Sequence, residues 1–210
     1  STADFNLDYQ DDALYIGYVK ANAGVWNQGG VLRLQTKGDA NPNNWVASRL
    51  IDDIGPVTSS VVRLQNNIYH TNWLFFGTGR YYFSSTSALD DETAQRSLFG
   101  VKDPCFTVGN TIDPSCPNPT VAAGDLQTVA DATNVDEAIA NSAGFHGWKI
   151  DLDTTASADY DGAGSKNYQA ERVITDPLAA GTGVVFFTTF RPYGDDCAIG
   201  GRTFLWGVRY

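Results

Sequence analysis

The sequence of 210 residues contains no methionine, only two histidines and only three cysteines. Position 1 is Ser1, so we expect a processed product or a piece of a longer chain. His70 and His146 lie far apart, and neither has a cysteine or another histidine at the spacing of zinc ligands. The pattern therefore argues against a zinc site, and no serine nucleophile with a histidine base is recognisable.

Basic residues are also scarce, with 14 Lys and Arg against 24 Asp and Glu and a net charge of −10. Nucleic acids and anionic membranes are bound through basic surfaces, so we expect neither as a partner. No apolar run approaches the roughly 20 residues of a membrane-spanning helix, so we predict no membrane span. Divalent cations suit this charge better.

Glycine and aromatic residues, by contrast, are abundant, at 21 residues and 12% of the chain. Short segments rich in β-branched and aromatic residues are separated by Gly, Asn, Asp and Pro, which is typical of strands joined by tight turns. One short helix is predicted at Val135–Ser142, after a possible cap at Asn134. The predicted strands are Ala13–Val19, Val31–Thr36, Trp45–Ile51, Thr58–Leu64, Trp73–Gly79, Ser97–Lys102, Gly147–Leu152, Glu171–Thr175, Gly183–Phe190 and Thr203–Arg209.

These segments repeat in a fixed order. The runs ALYIGYV, WLFFGTG and VVFFTTF each precede a similar second strand, which gives a four-stranded unit that recurs about three times. The first unit lacks its opening strand and the last ends after its third. Four-stranded sheets in radial repetition are the blades of a propeller.

We therefore predict an all-β fold in which residues 1–210 form one modified β-propeller domain, or part of one, with four-stranded blades and long loop insertions. A β-sandwich is the alternative. Because a closed propeller usually has at least about four blades, we expect another chain or segment to supply the remainder. The strand-borne tryptophans are predicted to pack in the core rather than to stack on a ligand. They are Trp26, Trp45, Trp73, Trp148 and Trp206.

Two stretches, Arg80–Gln95 and Asp103–Phe145, are predicted to be long loops with little core. The second contains Cys105 and Cys116, for which we predict a local disulfide and hence an oxidising compartment. Cys197 is left over, and its partner is expected outside this chain.

The first residues carry the clearest local chemistry, an alternation D-x-N-x-D-x-Q-x-D at Asp4, Asn6, Asp8, Gln10 and Asp12. Oxygen-bearing side chains at alternate positions converge on a hard cation when a loop curls, and Ca²⁺ takes about six to eight oxygen ligands. Gln10 occupies a position from which such loops donate a backbone carbonyl. The pattern is not an EF-hand, because the sixth position is a tyrosine rather than glycine. The sequence thus predicts a calcium loop leading into a strand, and an acidic surface turn is the alternative.

The sequence also resembles the C-terminal propeller of PilY-type proteins, which are type IV pilus biogenesis factors and tip adhesins. An ordered series of short matches spans nearly the whole chain. The matches are Asp4–Asp12, Tyr15–Gly17, Gly29–Leu34, Phe76–Tyr81, Gln95, Leu98–Gly100, Asp103, Gly147–Leu152, Glu171–Val173, Asp176, Pro177, Phe187–Phe190, Asp196, Cys197, Gly200 and Gly201.

The resemblance implies an exported, non-catalytic protein bound to pili at the cell surface, with pilins or minor pilins and other pilus proteins as partners. It implies that calcium regulates pilus extension and retraction, and that the ligands are the five residues of the alternation. Asn6 departs from the aspartate frequent in the family, which lowers the charge of the loop by one. The alternatives are a quinoprotein-type propeller enzyme and a carbohydrate-binding surface module.

Overall fold

The computed structural model describes residues 1–66, 68–81, 93–135, 144–154, 168–194 and 200–209. Three short 3₁₀ helices, Pro42–Asn44, Ala123–Asp125 and Ala132–Asn134, are the helical elements of these residues. The strands are β1 (Thr2–Ala3), β2 (Ala13–Asn22), β3 (Val25–Gln35), β4 (Val46–Ile51), β5 (Val62–Asn66), β6 (Thr71–Gly77), β7 (Ser97–Lys102), β8 (Gln127–Val129), β9 (Gly147–Asp151), β10 (Arg172–Val173), β11 (Leu178–Ala180), β12 (Val184–Pro192) and β13 (Gly201–Arg209).

The prediction of an all-β chain is confirmed, and each of the ten predicted strands is present. The prediction that the first unit lacks its opening strand is wrong, because β1 pairs with β2 through Thr2 opposite Leu14. Strands as short as β1, β8 and β11 show no alternation in the sequence, since an alternating pattern needs about four residues. The predicted helix at Val135–Ser142 lies almost entirely outside the described residues.

The strands form three sheets in chain order, and none of them closes on itself within the described residues. The first sheet has the order β1-β2-β3-β4, and the central sheet has the order β5-β6-β7-β9-β8. In the third sheet β12 pairs along its whole length with β13 and, on its other edge, with β10 and β11. Neighbouring strands are antiparallel, except that β8 runs parallel to β9.

The central sheet is buried on both faces. Successive side chains of a strand point to opposite faces of a sheet, so neighbouring residues of one strand enter different cores. In β6, Leu74 and Phe76 belong to the core shared with the first sheet, whereas Trp73 and Phe75 belong to the core shared with the third. Burial of each such side chain is worth about 1.5–3 kcal/mol. The two cores hold the three sheets together as successive layers.

Gly100 of β7 is a point of close approach within the central sheet. It lies opposite Trp148 of β9, and a Cβ atom added at Gly100 would come within 2.4 Å of the buried indole ring. Trp148 is fully buried and also contacts Phe75 and Phe187. The absence of a side chain at position 100 therefore lets the indole lie across the strand.

Gly100→Ala is expected to lower the free energy of unfolding by about 1–3 kcal/mol, the usual cost of overpacking a core. The reason is that the new methyl group would displace the buried indole of Trp148, which is packed against Phe75 and Phe187. Urea denaturation of the two proteins measures the difference. Gly124→Ala is the matched control, because no atom lies within 4 Å of an added Cβ there. An equal effect at the two positions would contradict this account.

The expectation of little core in Asp103–Phe145 is wrong for its described part. Val121 forms a bridge with Ile51 and is buried with Leu126 in the first core, while Val129 of β8 is buried in the second. These apolar residues stand singly among polar ones and show no periodic pattern in the sequence, yet each of them is buried in one of the two cores. The predicted Cys105–Cys116 disulfide is confirmed, and Cys197 lies outside the described residues.

The prediction for the tryptophans holds for Trp73 and Trp148, which are fully buried. It is wrong for Trp26, which lies next to the turn of the β2-β3 hairpin and is exposed. This hairpin extends beyond the end of β4, so nothing on β4 can cover its tip. No helix in the described residues is long and apolar enough to cross a membrane.

Candidate functional site

The five predicted calcium ligands lie together in one loop, residues 4–12, between β1 and β2, which we call the acidic loop. Asp4 follows directly after β1, and Asp12 directly precedes β2. Because β1 and β2 pair with each other, the two ends of the loop are held side by side. The sequence pattern thus places all its oxygen donors within a single closed turn of chain.

Side chains of the loop accept hydrogen bonds from its own backbone and curl it. Asp4 Oδ1 accepts from the N–H of Leu7 at 2.7 Å, and Asp4 Oδ2 accepts from that of Tyr9 at 2.9 Å. Asp8 Oδ1 accepts from the N–H of Gln10 at 2.9 Å, and Asn6 Oδ1 from that of Asp8 at 3.0 Å. An Asp or Asn side chain that accepts a hydrogen bond from a backbone N–H a few residues later forms an Asx-type turn. Several such turns in succession curl this loop.

Leu7 and Tyr9 complete the curl with left-handed backbone, at φ values of 62° and 68°. Non-glycine residues adopt this region rarely, so two of them in one loop show that the side-chain bonds outweigh the local preference. Both side chains are exposed. Asp4, Asn6 and Asp8 therefore bond within the loop, while the intervening Leu7 and Tyr9 point to solvent.

The base of the loop is tied to the core. Asp12 Oδ2 accepts from the N–H of Phe5 at 2.7 Å, and the N–H of Asp12 donates to the carbonyl of Ala3 at 2.7 Å. The Phe5 ring is buried and lies 5.0 Å from the ring of Phe106, measured between centroids. Since Phe106 directly follows Cys105, this contact packs the disulfide-closed segment against the acidic loop.

Arg63 of β5 lies beside the loop, with its guanidinium 5.1 Å from the centre of the Phe5 ring. Burial lowers the pKa of Arg63, and the negative charges of Asp11 and Asp4 act in the opposite sense. An arginine keeps its charge even when its pKa falls moderately, because its usual value is above about 12. The loop carboxylates therefore already have one fixed positive charge near them.

The donor chemistry of the acidic loop fits a calcium ion, since carboxylate, amide and backbone oxygens are the ligands that calcium takes. The arrangement is not preassembled. Among the described residues, no three His, Cys, Asp or Glu side chains are gathered as a metal cluster. Oxygens of Asp4, Asp8 and Asp12 instead accept from backbone N–H groups. Calcium binding would require the carboxylates to draw together.

A second polar cluster, which sequence reasoning missed, lies between the first and central sheets. Arg33 of β3 pairs with Asp103, and both side chains are completely buried. Tyr15 donates to Asp103 Oδ2 at 2.6 Å and accepts from the Asn72 amide at 3.1 Å. Burial, followed by the charge of Asp103, raises the pKa of Tyr15 well above its usual value.

Arg33 alone could have signalled this cluster, because it alternates with the buried Val31 and Gln35 on one face of β3. A charged residue in that position requires a buried partner. The identity of that partner could not be predicted from the sequence, because Asp103 lies 70 positions away, directly after strand β7 of the central sheet. With both charged side chains sealed from solvent, we interpret the cluster as a link between sheets.

Comparison of the chain with protein families, with curated proteins and with solved structures finds no match. A function is therefore proposed from the acidic loop, the arrangement of the sheets and the resemblance of the sequence.

Arg63→Gln is expected to strengthen calcium binding about two- to tenfold, since a surface charge pair is worth up to about 1 kcal/mol and calcium carries two charges. Calorimetric titration with calcium measures the change. Arg209→Gln, at the end of β13 in the third sheet, is the matched control and should leave the affinity unaltered. Weaker binding in Arg63→Gln would mean that the guanidinium supports the loop rather than competing with the cation.

Proposed function

We propose that this chain is part of a calcium-binding, non-catalytic, type IV pilus-associated protein of the PilY type. It acts at the cell surface in pilus assembly and retraction or in adhesion. The observation that carries the proposal is the acidic loop, in which four of the five expected oxygen-bearing residues already fold the chain through side-chain bonds. The resemblance in sequence supplies the pilus context.

The arrangement of the sheets supports a propeller as the scaffold. Three predominantly antiparallel sheets follow one another along the chain, and the central one buries both faces against its neighbours. Blades of a propeller are related in this way, each with two covered faces. The first and third sheets would then each take a further blade on the outer face.

In the proposed calcium site, Asp4, Asp8 and Asp12 supply carboxylates, Asn6 an amide oxygen and Gln10 its backbone carbonyl. A bound calcium ion supplies positive charge that holds these oxygens together and stiffens the connection into β2. The three proposed carboxylate ligands carry the negative charge that holds a divalent cation near neutral pH. Through Phe5 and Phe106, a stiffened loop would also fix the disulfide-closed segment.

Extracellular location is supported by the Cys105–Cys116 disulfide, because such bonds persist in oxidising compartments. The two cysteines are 11 positions apart in sequence. The segment that their disulfide closes contacts the acidic loop through Phe106 and Phe5. Pilins, minor pilins and other pilus proteins are the proposed partners. We propose that bound calcium fixes the exposed side chains of Leu7 and Tyr9 as part of the surface that such a partner contacts.

Cosedimentation with purified type IV pili tests this function. We expect the parent to sediment with pili in calcium and to remain in solution after chelation, and Asp8→Ala to remain in solution in both conditions. Asp131→Ala is the matched control, because Asp131 also accepts from a backbone N–H two residues ahead but lies outside the loop. Calcium-independent sedimentation of all three proteins would contradict a calcium-regulated role.

A further inference from the structure

A small cavity lies beside the base of the acidic loop. Its volume is about 180 Å³, and its walls come from the last residue of the loop, the end of β3 and the disulfide-closed segment. The backbones of Asp12 and Gln35 are held side by side there, since Ala13 lies opposite Gln35 and the N–H of Thr36 donates to the carbonyl of Asp12 at 3.0 Å. The lining residues are Asp12, Gln35, Lys37, Thr111, Ile112 and Pro114.

Gln35 brings an unpaired oxygen to this cavity. The side chain is only 4% exposed, and its Oε1 has no hydrogen-bond partner within the part of the chain that the structure describes. Its Nε2 donates to the carbonyl of Asp113 at 3.4 Å, which orients the amide so that the oxygen faces away from Asp113. Buried polar atoms are nearly always paired, and an unpaired one costs stability. An unpaired buried acceptor beside a cavity therefore indicates a ligand.

The neighbouring Asp12 favours a hard cation as that ligand. Asp12 Oδ2 accepts from the N–H of Phe5, whereas Asp12 Oδ1 takes part in no hydrogen bond among the described residues. A carboxylate oxygen and a side-chain amide oxygen are both ligands that calcium takes. Lys37 also lines the cavity, but it is exposed, so its ammonium group can turn to solvent.

We propose that Gln35 Oε1 is a further calcium ligand, supplied by β3 rather than by the acidic loop. The proposal rests on the calcium-binding part of the proposed function, and it assigns the ion to the base of the loop. Asp12 and Gln35 are held by paired strands, so they form the fixed side of the site. Asp4, Asn6 and Asp8 close onto that side when the loop draws together. An additional protein oxygen favours calcium, which takes about six to eight oxygen ligands.

Gln35→Leu separates ligation from packing. Calorimetric titration should show calcium binding weakened about tenfold, less than for a charged ligand because the lost oxygen is neutral. The midpoint of thermal unfolding in chelator should equal or exceed that of the parent, because leucine removes an unpaired buried acceptor. The carbonyl of Asp113 keeps a donor in this variant, the N–H of Cys116 at 3.3 Å. A residue that only supported the fold would lower the midpoint and leave the affinity unaltered.

Gln28→Leu is the matched control. Gln28 also lies on β3, and its Oε1 is likewise buried without a partner among the described residues, but it is roughly 20 Å farther along the strand. This variant should keep the calcium affinity of the parent. Gln35→Glu should instead tighten calcium binding about tenfold, because a carboxylate replaces a neutral oxygen. It should lower the midpoint in chelator, because Asp12 lies at the same cavity and like charges repel.

Three results would overturn the proposal. If the parent binds calcium and Gln35→Leu binds it equally well, the ligands all come from the acidic loop, and the proposed function stays intact. If Gln35→Glu binds calcium less tightly than the parent, the ion does not contact this position. If the parent takes up no calcium, this assignment and the calcium loop are both wrong, so the parent titration alone distinguishes that result from the first.

Discussion

Replacing Asp103 by alanine is expected to lower the free energy of unfolding by about 3–5 kcal/mol, the cost of leaving a buried charge without its partner. The charge left behind is Arg33, whose side chain is completely buried. Its remaining described partners, the hydroxyl of Ser48 at 3.0 Å and the carbonyl of Pro119 at 3.2 Å, carry no net charge. Urea denaturation followed by circular dichroism measures the loss.

Asp103 also connects parts of the chain that are distant in sequence. Besides Arg33, it accepts from the Tyr15 hydroxyl of the first sheet and from the backbone N–H of Cys105 at 2.8 Å. Its own N–H donates to the carbonyl of Asn72 in β6 at 2.9 Å. Alanine at this position leaves the N–H of Cys105 and the hydroxyl of Tyr15 without their acceptor, which adds to the loss.

The double variant Arg33→Met with Asp103→Leu is the control for this prediction. Because it removes both charges and fills the site with apolar side chains of similar volume, it should be considerably more stable than Asp103→Ala alone. Asp113→Ala, at an exposed aspartate in the disulfide-closed segment, should change stability little. A loss below about 1 kcal/mol in Asp103→Ala would contradict the view that this ion pair joins the sheets.

Replacing Asp8 by alanine is expected to weaken calcium binding at least about 100-fold, because the site loses one of its three proposed carboxylate ligands and affinity in calcium loops follows ligand charge. The same change should leave the unliganded protein close to parental stability, since Asp8 is exposed and its described hydrogen bonds stay within the loop. Calcium titration of Asp8→Ala against the parent measures the first effect, and thermal unfolding after chelation measures the second.

Asp12→Ala should behave differently and so separates ligation from support. It should weaken calcium binding to a similar extent, and it should also destabilise the unliganded protein by about 1 kcal/mol or more, because Asp12 holds the N–H of the buried Phe5. Asp8→Ala and Asp12→Ala with equal stability in chelator would show that the bond to Phe5 contributes little.

Local chemistry was readable from the sequence, whereas pairing across the chain was not. The ten predicted strands lie in alternating or continuous apolar runs of the sequence, and the acidic loop is marked by polar residues at every second position. β8 could not be predicted, because its three residues form a strand only through their parallel pairing with β9. The burial of Val121 likewise depends on Ile51, which lies 70 positions earlier.

The same distinction holds within the candidate site. The five oxygen-bearing residues could be named from spacing alone, and the local disulfide from its sequence neighbourhood. The positions of Arg63 and Phe106 beside the loop come from β5 and from the segment after β7, so only the assembled sheets reveal them. Electrostatic tuning of the site is thus a property of the fold and not of the motif.

Calorimetric titration of the metal-free protein with calcium tests the central claim most directly. We expect saturable binding of one ion, little heat with magnesium at the same concentration, and loss of the calcium heat in Asp8→Ala but not in Asp131→Ala. Saturation should also raise the midpoint of thermal unfolding, because about 100-fold excess over the dissociation constant adds about 2.7 kcal/mol. A parent protein with neither a calcium heat nor a thermal shift would show that the acidic loop is a surface turn.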